Sequence, residues 1–466
     1  MKYIEDEIPF ELPKGWEWAR INNIAFFQGG YAYKSNRYVA SSNNLIIRIG
    51  NVKNNTLLTD VAPVFIDDQY AEETTNYKLK ECDILFTMTG TKGKRDYFYS
   101  CIIEKSDIIK KSIFLNQRVG CLRIIDPDTV NPYLFLSFIQ STFVLDSIFS
   151  TETGNVNQGN IGSTATLNLL IPIPPIEEQN RIINCISTVN KLIDIIESDK
   201  DDLQTTIQLT KSKILDLAIR GKLVPQNPDD EPASVLLDRI REEKEELIKQ
   251  GKIKRDKKES VIFRGDDNSY YEKIGDTVTC IDEELPFDIS ENWAWIRLSS
   301  ACIINPKNNI SDDTLVSFVP MTLIQDGYAN EFTFEQRKWG EVKKGFTHFA
   351  ENDVGFAKIT PCFENRKSVV FRGLCNGYGA GTTELYILRT FPDTIMPEYI
   401  LYIVKTESFL VGGKQTCAGV VGQQRISKDY VCDYLVPVPP LNEQVRIINK
   451  CAEIMTMLNN IEKSLS

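Results

Sequence analysis

Two polar stretches early in the chain combine side chains that grip a polyanion with side chains that read flat, hydrogen-bonding edges. The first runs Gly30-Tyr31-Ala32-Tyr33-Lys34-Ser35-Asn36-Arg37-Tyr38, with Tyr31, Lys34 and Arg37 as candidate contacts. The second runs Thr91-Lys92-Gly93-Lys94-Arg95-Asp96-Tyr97, with Lys92, Lys94, Arg95 and Tyr97. Lysine and arginine would clamp phosphates, and tyrosine and asparagine would hydrogen-bond to base edges. The same mixture returns late in the chain at Thr360, at Glu364-Asn365-Arg366-Lys367 and at Gln423-Gln424-Arg425, and Gln158 stands in phase with Gln423. Taken singly, each stretch also fits an ordinary solvated turn. Their occurrence at matching places in two halves favours a nucleic-acid surface.

No constellation for catalysis accompanies them. Gly90-Thr-Lys-Gly-Lys-Arg lacks the spacing of a phosphate-binding nucleotide loop, and no Gly-rich dinucleotide or methyl-donor loop follows a strand. Asn131-Pro132-Tyr133 lacks the second proline of the Asn-Pro-Pro-Tyr of amino-methyltransferases and follows Asp126-Pro127. No carboxylate pair with a nearby lysine suggests a nuclease centre. The single histidine, His348, leaves little room for a metal site or a triad, and the 11 cysteines include no C-x-x-C pair. No catalytic or metal-ligating residue is assigned, and a binding or adaptor protein is expected. Reduced, scattered cysteine, the lack of a signal-like N-terminus and the lack of any apolar run near 18 residues predict a cytoplasmic protein without a membrane partner.

The net charge of −11 argues against nucleic acid at first sight. Residues 1–165, however, carry 17 basic and 19 acidic side chains, and residues 285–435 carry 15 and 17. Most of the remaining acidity lies in helices and connectors, so each near-neutral half can still present one basic face.

The elements that must position these loops are duplicated. Pro172-Ile-Pro-Pro-Ile-Glu-Glu-Gln-Asn-Arg-Ile-Ile-Asn184 recurs as Pro437-Val-Pro-Pro-Leu-Asn-Glu-Gln-Val-Arg-Ile-Ile-Asn449, at a constant offset of 265. The prolines hold an extended entry, acidic residues occupy the first helical turn, and an apolar stripe begins. Trp16-Glu-Trp18-Ala-Arg20 and Trp293-Ala-Trp295-Ile-Arg297 open the halves, with the tryptophans expected to face inward from a strand. Both halves carry Gly-x-Val-x-Gln-x-x-Ile, at Gly154, Val156, Gln158, Ile161 and at Gly419, Val421, Gln423, Ile426. Strands are expected at Leu45–Ile49, Asp83–Thr87 and Asp353–Ala357, and helices at Pro132–Ser147 and Pro397–Leu410.

The elbow at residue 176 opens a coiled-coil seam of Ile182, Ile186, Val189, Ile193, Ile196, Leu203, Ile207, Ile214 and Leu217, interrupted by Lys200 and Thr210. To Arg220 it would extend about 68 Å at 1.5 Å per residue, and Gly221 ends it. The C-terminal helix repeats the seam with Ile447, Cys451, Ile454, Leu458, Ile461 and Leu465, over about half that length. Antiparallel pairing of the two helices is the simplest arrangement. Residues 221–285 read as a connector containing a solvent-facing helix, Ala233–Gln250, and a basic run of Lys252, Lys254, Arg255, Lys257 and Lys258 that fits a solvated linker or a phosphate contact.

At the Pro-x-Pro-Pro elbows the chain resembles the specificity subunits of type I restriction-modification enzymes. Leu12-Pro-Lys-Gly-Trp16, Arg220-Gly-Lys-Leu-Val-Pro-Gln226, Asp230-Glu-Pro-Ala-Ser234 and Gly379-Ala-Gly-Thr-Thr-Glu384 add to the likeness, which extends over nearly the whole chain. The resemblance implies an α+β protein with two pseudo-repeated target recognition domains separated by a two-helix antiparallel coiled coil. The segments would be 1–170 (first recognition domain), 171–222 (first long helix), 223–285 (connector), 286–435 (second recognition domain) and 436–466 (second helix). Each domain would read one part of a gapped target in double-stranded DNA, with the helices fixing the unread spacer. Such a subunit binds no cofactor. S-adenosylmethionine, ATP and magnesium belong to its partners, two methyltransferase subunits and the restriction/translocase subunits. The short C-terminal helix departs from the family pattern and leaves open an inactive specificity subunit. Two other classes stay open: a methyltransferase acting alone, which the missing cofactor loop opposes, and a coiled-coil adaptor that reads no DNA.

Overall fold

Short runs of β-branched and aromatic residues build the same antiparallel sheet twice. The computed structural model describes residues 7–155, 158–255, 259–420 and 423–465, and the chain divides into two units, Met1–Glu197 and Ser198–Ser466. In the first unit the strands Ser100–Ile102, Ile84–Thr87, Val119–Ile124 and Ala25–Gly29 lie side by side in that order. In the second, Ser368–Val370, Val354–Ala357, Leu385–Thr390 and Cys302–Ile304 repeat the order. A buried carboxylate ties neighbouring strands in each: Asp83 accepts two bonds from Arg123, at 2.7 and 2.6 Å, and Asp353 two from Arg389, both at 2.7 Å. Each unit adds a second sheet containing one parallel pair, Ser112–Leu115 with Asn44–Ile47 and Leu315–Val319 with Tyr378–Gly381.

The expected strands therefore form within a residue or two of their anticipated limits. The expected helices each break once, where a hydroxyl caps a new start. Ser141 separates Pro132–Ile139 from Thr142–Phe149, and Thr406 separates Pro397–Lys405 from Glu407–Gln415. Val156, Val421, Lys257 and Lys258 lie outside the described residues.

The opening Trp-x-Trp-x-Arg segment of each half pairs with the proline-rich elbow, Trp18 opposite Pro172 and Trp295 opposite Pro437. Trp295 is fully buried, whereas Trp16 and Trp18 are half-buried. The shared arginine closes a short helix in both halves: Arg20 donates to Asn168 O and Arg297 to Asp433 O.

The elbow glutamine has the same three partners in each half. Gln179 accepts from Asn131 N (2.8 Å) and donates to Thr129 O (2.9 Å) and Pro174 O (2.8 Å). Gln444 accepts from Met396 N (2.8 Å) and donates to Thr394 O (3.2 Å) and Pro439 O (3.1 Å). Both side chains are buried. They fasten the start of a long helix to the start of Pro132–Ile139 or Pro397–Lys405.

The long helix runs Ile176–Ile219 and the C-terminal helix Leu441–Ser464. Near Ser464 they pair antiparallel: Gln208 (2.7 Å) and Lys211 (2.6 Å) both reach Glu462, while Leu215, Ala218 and Ile219 share a core with Ile447 and Cys451. The seam is thus realised in part. Ile207 is buried, and Ile182, Ile214, Leu217, Ile454 and Leu458 are half-buried. Ile186, Val189, Ile193, Ile196, Leu203 and Ile461 are exposed.

The connector differs from its expected form. The helix Ala233–Lys249 buries Ala233, Leu236, Leu237 and Ile240 in the core of the second unit, so it is amphipathic and not solvated all round. Ser260–Arg264, Tyr270–Ile274 and Thr277–Cys280 form an antiparallel sheet. Arg297 bonds Glu272 from this sheet at 2.7 and 3.0 Å. Arg255 of the basic run is bidentate to Glu245, which favours a structural tie there.

His348 is a core residue. Its Nε2 lies 2.9 Å from Lys343 O, its Nδ1 accepts from Asn308 N, and burial lowers its proton affinity. Among the described residues no single helix is long and apolar enough to cross a membrane.

Gln444→Ala would strand a buried N–H and two carbonyls at once. We expect it to lower the stability of the second unit by about 2–4 kcal/mol. Denaturant unfolding followed by the fluorescence of Trp293, Trp295 and Trp339 checks this, with Gln179→Ala as the counterpart in the first unit.

Candidate nucleic-acid interface

In the first unit the strand after Ile84–Thr87 continues as Thr89–Gly90 and pairs with Gln158–Asn160, which pairs in turn with Thr153–Asn155. The 91–97 turn folds back onto this hairpin. Asp96 accepts from Thr91 N at 2.7 Å and Lys94 N donates to Thr91 O at 3.1 Å. Glu152 accepts from the Tyr97 hydroxyl at 2.6 Å and from Gly93 N at 3.1 Å, and Lys92 Nζ donates to Gly154 O at 2.9 Å. Tyr97 is only 3 % exposed. Burial, with Glu152 alongside, pushes its hydroxyl well above the usual tyrosine range, so it acts as a fixed donor. Arg95 reaches Asp146 at 2.6 Å and lies over the Phe149 ring.

A ladder of backbone bonds brings the other candidate stretch to the same end of the sheet. Tyr31 N donates to Leu115 O, Gln117 N to Tyr31 O, Met88 N to Arg118 O and Ile161 N to Met88 O, all between 2.9 and 3.1 Å. Tyr31, Tyr33 and Tyr70 pack edge to face. The Arg37 guanidinium stacks 3.6 Å above the Tyr70 ring and is bidentate to Glu73. That pairing holds the Glu73 carboxyl below the usual carboxylate range. Lys34, Lys94 and Gln158 point outward with exposed side chains.

Two residues at this end escaped sequence reasoning. Gln117 and Arg118 are exposed, and among the described residues the Arg118 side chain has no ion-pair partner. Their signal was the polar break Asn116-Gln117-Arg118 between two apolar strands.

The second unit repeats the construction. Ile359 bridges Arg425, and Arg425 bridges Ala418. Thr360 N donates to Gln424 O (2.8 Å) and Gln424 N to Thr360 Oγ1 (3.2 Å). Arg425 is bidentate to Glu384, at 2.9 and 2.8 Å, and its Nη1 donates to Gln423 O at 3.1 Å. The Arg425 guanidinium holds the Glu384 carboxyl below its ordinary range.

Gly154 and Gly419 occupy equivalent places with φ of +114° and +127°. A Cβ at Gly154 would stand 2.1 Å from Gln158 O, and one at Gly419 would stand 3.1 Å from Gln423 O. Only glycine lets these hairpins close.

Not every expected contact faces out. Thr360 is buried. Lys367 Nζ donates to Ile324 O (2.7 Å) and Met321 O (3.3 Å) and lies 3.3 Å from Asp326. Arg366 is tied to Glu407 and to Lys405 O and lies over the Tyr328 ring. Lys405, pushed down to about 7 by burial, donates to Gly327 O and Arg366 O. These residues shape the loop, while Asn365 and Gln423 have exposed side chains. Tyr97 and Lys92 shape the first loop in the same way. Among the described residues no cluster of His, Cys, Asp or Glu could hold a metal ion.

Comparison with known proteins bears on the fold. Residues 13–205 match the model of the type I restriction modification DNA specificity domain. The specificity subunit of the type I restriction enzyme EcoAI of Escherichia coli is 44% identical over 258 residues, which is 55% of this chain and 41% of that protein. The chain thus spans about two-fifths of the length of the curated relatives it matches. Two solved structures share the fold. One is a chain from work on the structural basis of complex assembly and conformational transition of the type I R-M system, with TM-score 0.55, 15% identity and coverage of 98% of this chain and 94% of that one. The other is the HsdS subunit of Thermoanaerobacter tengcongensis, with TM-score 0.52, 14% identity and coverage of 99% and 94%. The first part of the chain is thus similar to type I restriction-modification specificity domains, and the two solved structures share its fold.

Glu152→Ala removes the acceptor for Tyr97 and Gly93 together. We expect amide exchange at Gly93 and neighbouring turn residues to accelerate about 10-fold or more, for a loss of about 1–3 kcal/mol in local stability, with the main-sheet amides unchanged.

Proposed function

We propose that the chain is the sequence-reading, non-catalytic subunit of a type I restriction-modification complex. Residues 1–170 and 286–435 each read one part of a gapped target in double-stranded DNA. The observation that carries this is the repeated interface: in each half a loop and a glycine-closed hairpin meet in the same register at one end of the same sheet. Matched scaffolds with different outward side chains suit two readers of different sequences. The pairing of the long helices near Ser464 supports their assignment as the spacer-setting rod, and the exposed stripe from Ile186 to Leu203 fits burial against another subunit.

The partners proposed on the likeness to type I specificity subunits are two methyltransferase subunits, which would carry S-adenosylmethionine, and restriction/translocase subunits, which would use ATP and magnesium. Neither chemistry is assigned to residues of this chain. A cytoplasmic location goes with DNA as ligand.

The deciding measurement is adenine methylation across the host genome with and without this gene. A two-part gapped motif that vanishes on deletion supports the proposal, and unchanged methylation sinks it. Substituting residues 90–97 should then alter one part of the motif only, and substituting 360–367 the other part only. Lengthening the long helix near Lys200 by one turn should change the gap and leave both parts intact.

Exposed cations provide a second check. Lys34→Ala, Lys94→Ala and Arg118→Ala should weaken binding of the assembled complex across all sequences. Each should reduce the slope of log affinity against log salt by about 0.9 if it neutralises one phosphate. Titration at several salt concentrations measures this.

A further inference from the structure

The two hairpins can be compared position by position, because their registers coincide. Thr153 pairs with Asn160 and Ala418 with Arg425, at the shared offset of 265. Asn160 is bridged on its other side by Thr89, and Arg425 by Ile359. Arg118 O accepts from Met88 N just as Glu384 O accepts from Lys358 N. One scaffold position is therefore Asn160 in the first half and Arg425 in the second, and its neighbour is Arg118 in the first and Glu384 in the second. The scaffold is constant and the chemistry is exchanged.

In the second half this exchange leaves a guanidinium held on one edge. Nε and Nη2 of Arg425 are taken by the two oxygens of Glu384, at 2.9 and 2.8 Å, and Nη1 reaches Gln423 O at 3.1 Å. Nη1 and Nη2 each have two hydrogens, so one on each is left over. The residue is exposed. A guanidinium fixed along its Nε edge keeps one N–H on each of Nη1 and Nη2 for a ligand, with little further loss of rotamer freedom. Two adjacent acceptors, O6 and N7 of guanine in the major groove, match that fork. Asn160, by contrast, is a carboxamide, whose donor and acceptor complement N7 and N6 of adenine.

We propose that Arg425, positioned by Glu384, reads a guanine in the part of the target recognised by the second half, and that Asn160 at the equivalent place serves the first half without guanine preference. This rests on the DNA-reading function proposed above. Glu384 is a positioning residue: it orders the guanidinium and touches no base.

The test uses the full chain assembled with its methyltransferase partners and duplexes bearing the methylated motif of the unmodified complex. Replacing one guanine of one part by 7-deazaguanine, which lacks the N7 acceptor, should weaken binding about 5- to 150-fold. Arg425→Lys keeps the charge and loses the fork. Its ammonium can still meet N7 or O6 without the planar fork, so it should show a smaller guanine-to-7-deazaguanine ratio than the unmodified complex and accept other bases more readily. Glu384→Gln keeps the acceptor oxygen and removes the charge, and should retain more of the discrimination than Glu384→Ala.

The proposal is overturned if neither part contains a guanine sensitive to this replacement, or if Arg425→Lys remains as sensitive as the unmodified complex. Because the first of these measurements uses the unmodified chain, a variant that fails to fold does not obscure the answer. Failure of the broader DNA-reading function would appear differently, as methylation with no two-part motif dependent on this chain.

Discussion

A buried carboxamide at the start of each long helix holds three backbone segments in one place. Gln179 and Gln444 each saturate one N–H and two carbonyls where the elbow, the preceding sheet and a short helix converge. A helix beginning after two prolines has no fixed direction of its own. The prolines keep the entry extended, but the angle at which the helix leaves is set by what its first turn bonds. Glutamine in the first turn is long enough to reach back past its own elbow, and it supplies both a donor and an acceptor. The opening strand reinforces the junction from the other side, because its tryptophan lies opposite a proline that can donate nothing. The attachment of each sheet to its helix therefore rests on one side chain whose partners are all backbone. Those partners can persist while every other residue changes.

The same separation of framework from surface operates at the opposite end of the sheet. The hairpins are closed by glycine at a positive φ and bridged to the strand beside them, and none of these bonds involves the side chains that project outward. Asn160 and Arg425, or Arg118 and Glu384, can exchange without disturbing a backbone bond. Such a surface can vary one position at a time, since a change in what is presented costs little in what supports it. The stacked Arg37, the Glu152-bound Tyr97 and the carbonyl-bound Lys367 mark the boundary, where cations and hydroxyls have been taken into the framework.

Much of this was legible in the sequence because duplication doubles every signal. The elbow, the Trp-x-Trp-x-Arg opening and the Gly-x-Val-x-Gln segment each occur twice in order, so a coincidence at one site would have to be repeated at the other. The roles of individual residues were less legible. Tyr97, Thr360 and Lys367 have the composition of contact residues, but whether a side chain faces out is decided by the turn that carries it. Gln117 and Arg118 were overlooked because they follow an apolar strand instead of lying in a polar loop. The connector was misjudged for a related reason. The helix Ala233–Lys249 has many charges, yet Ala233, Leu236, Leu237 and Ile240 recur at helical spacing and define a narrow buried stripe. The small sheet of Ser260–Cys280 lies in a segment of mixed polarity where alternation is weak.

Net charge was the least informative quantity, and the structure gives a physical reason. Arg37, Arg95, Arg366 and Arg425 are each paired with a carboxylate of their own unit. Summed over the chain, such pairs cancel and conceal the cations. Locally they do the reverse: they fix guanidinium groups in space, because a paired arginine has already lost the freedom a solvated one would have to surrender on binding. The pairing also weakens non-specific attraction, since a phosphate meets a dipole in place of a free charge. Under the proposed function, free cations such as Lys34, Lys94 and Arg118 would supply attraction along the backbone, and an exposed paired arginine such as Arg425 would supply discrimination at the bases. Under that function such a surface benefits when the second group outweighs the first, and an overall charge of −11 is compatible with that balance.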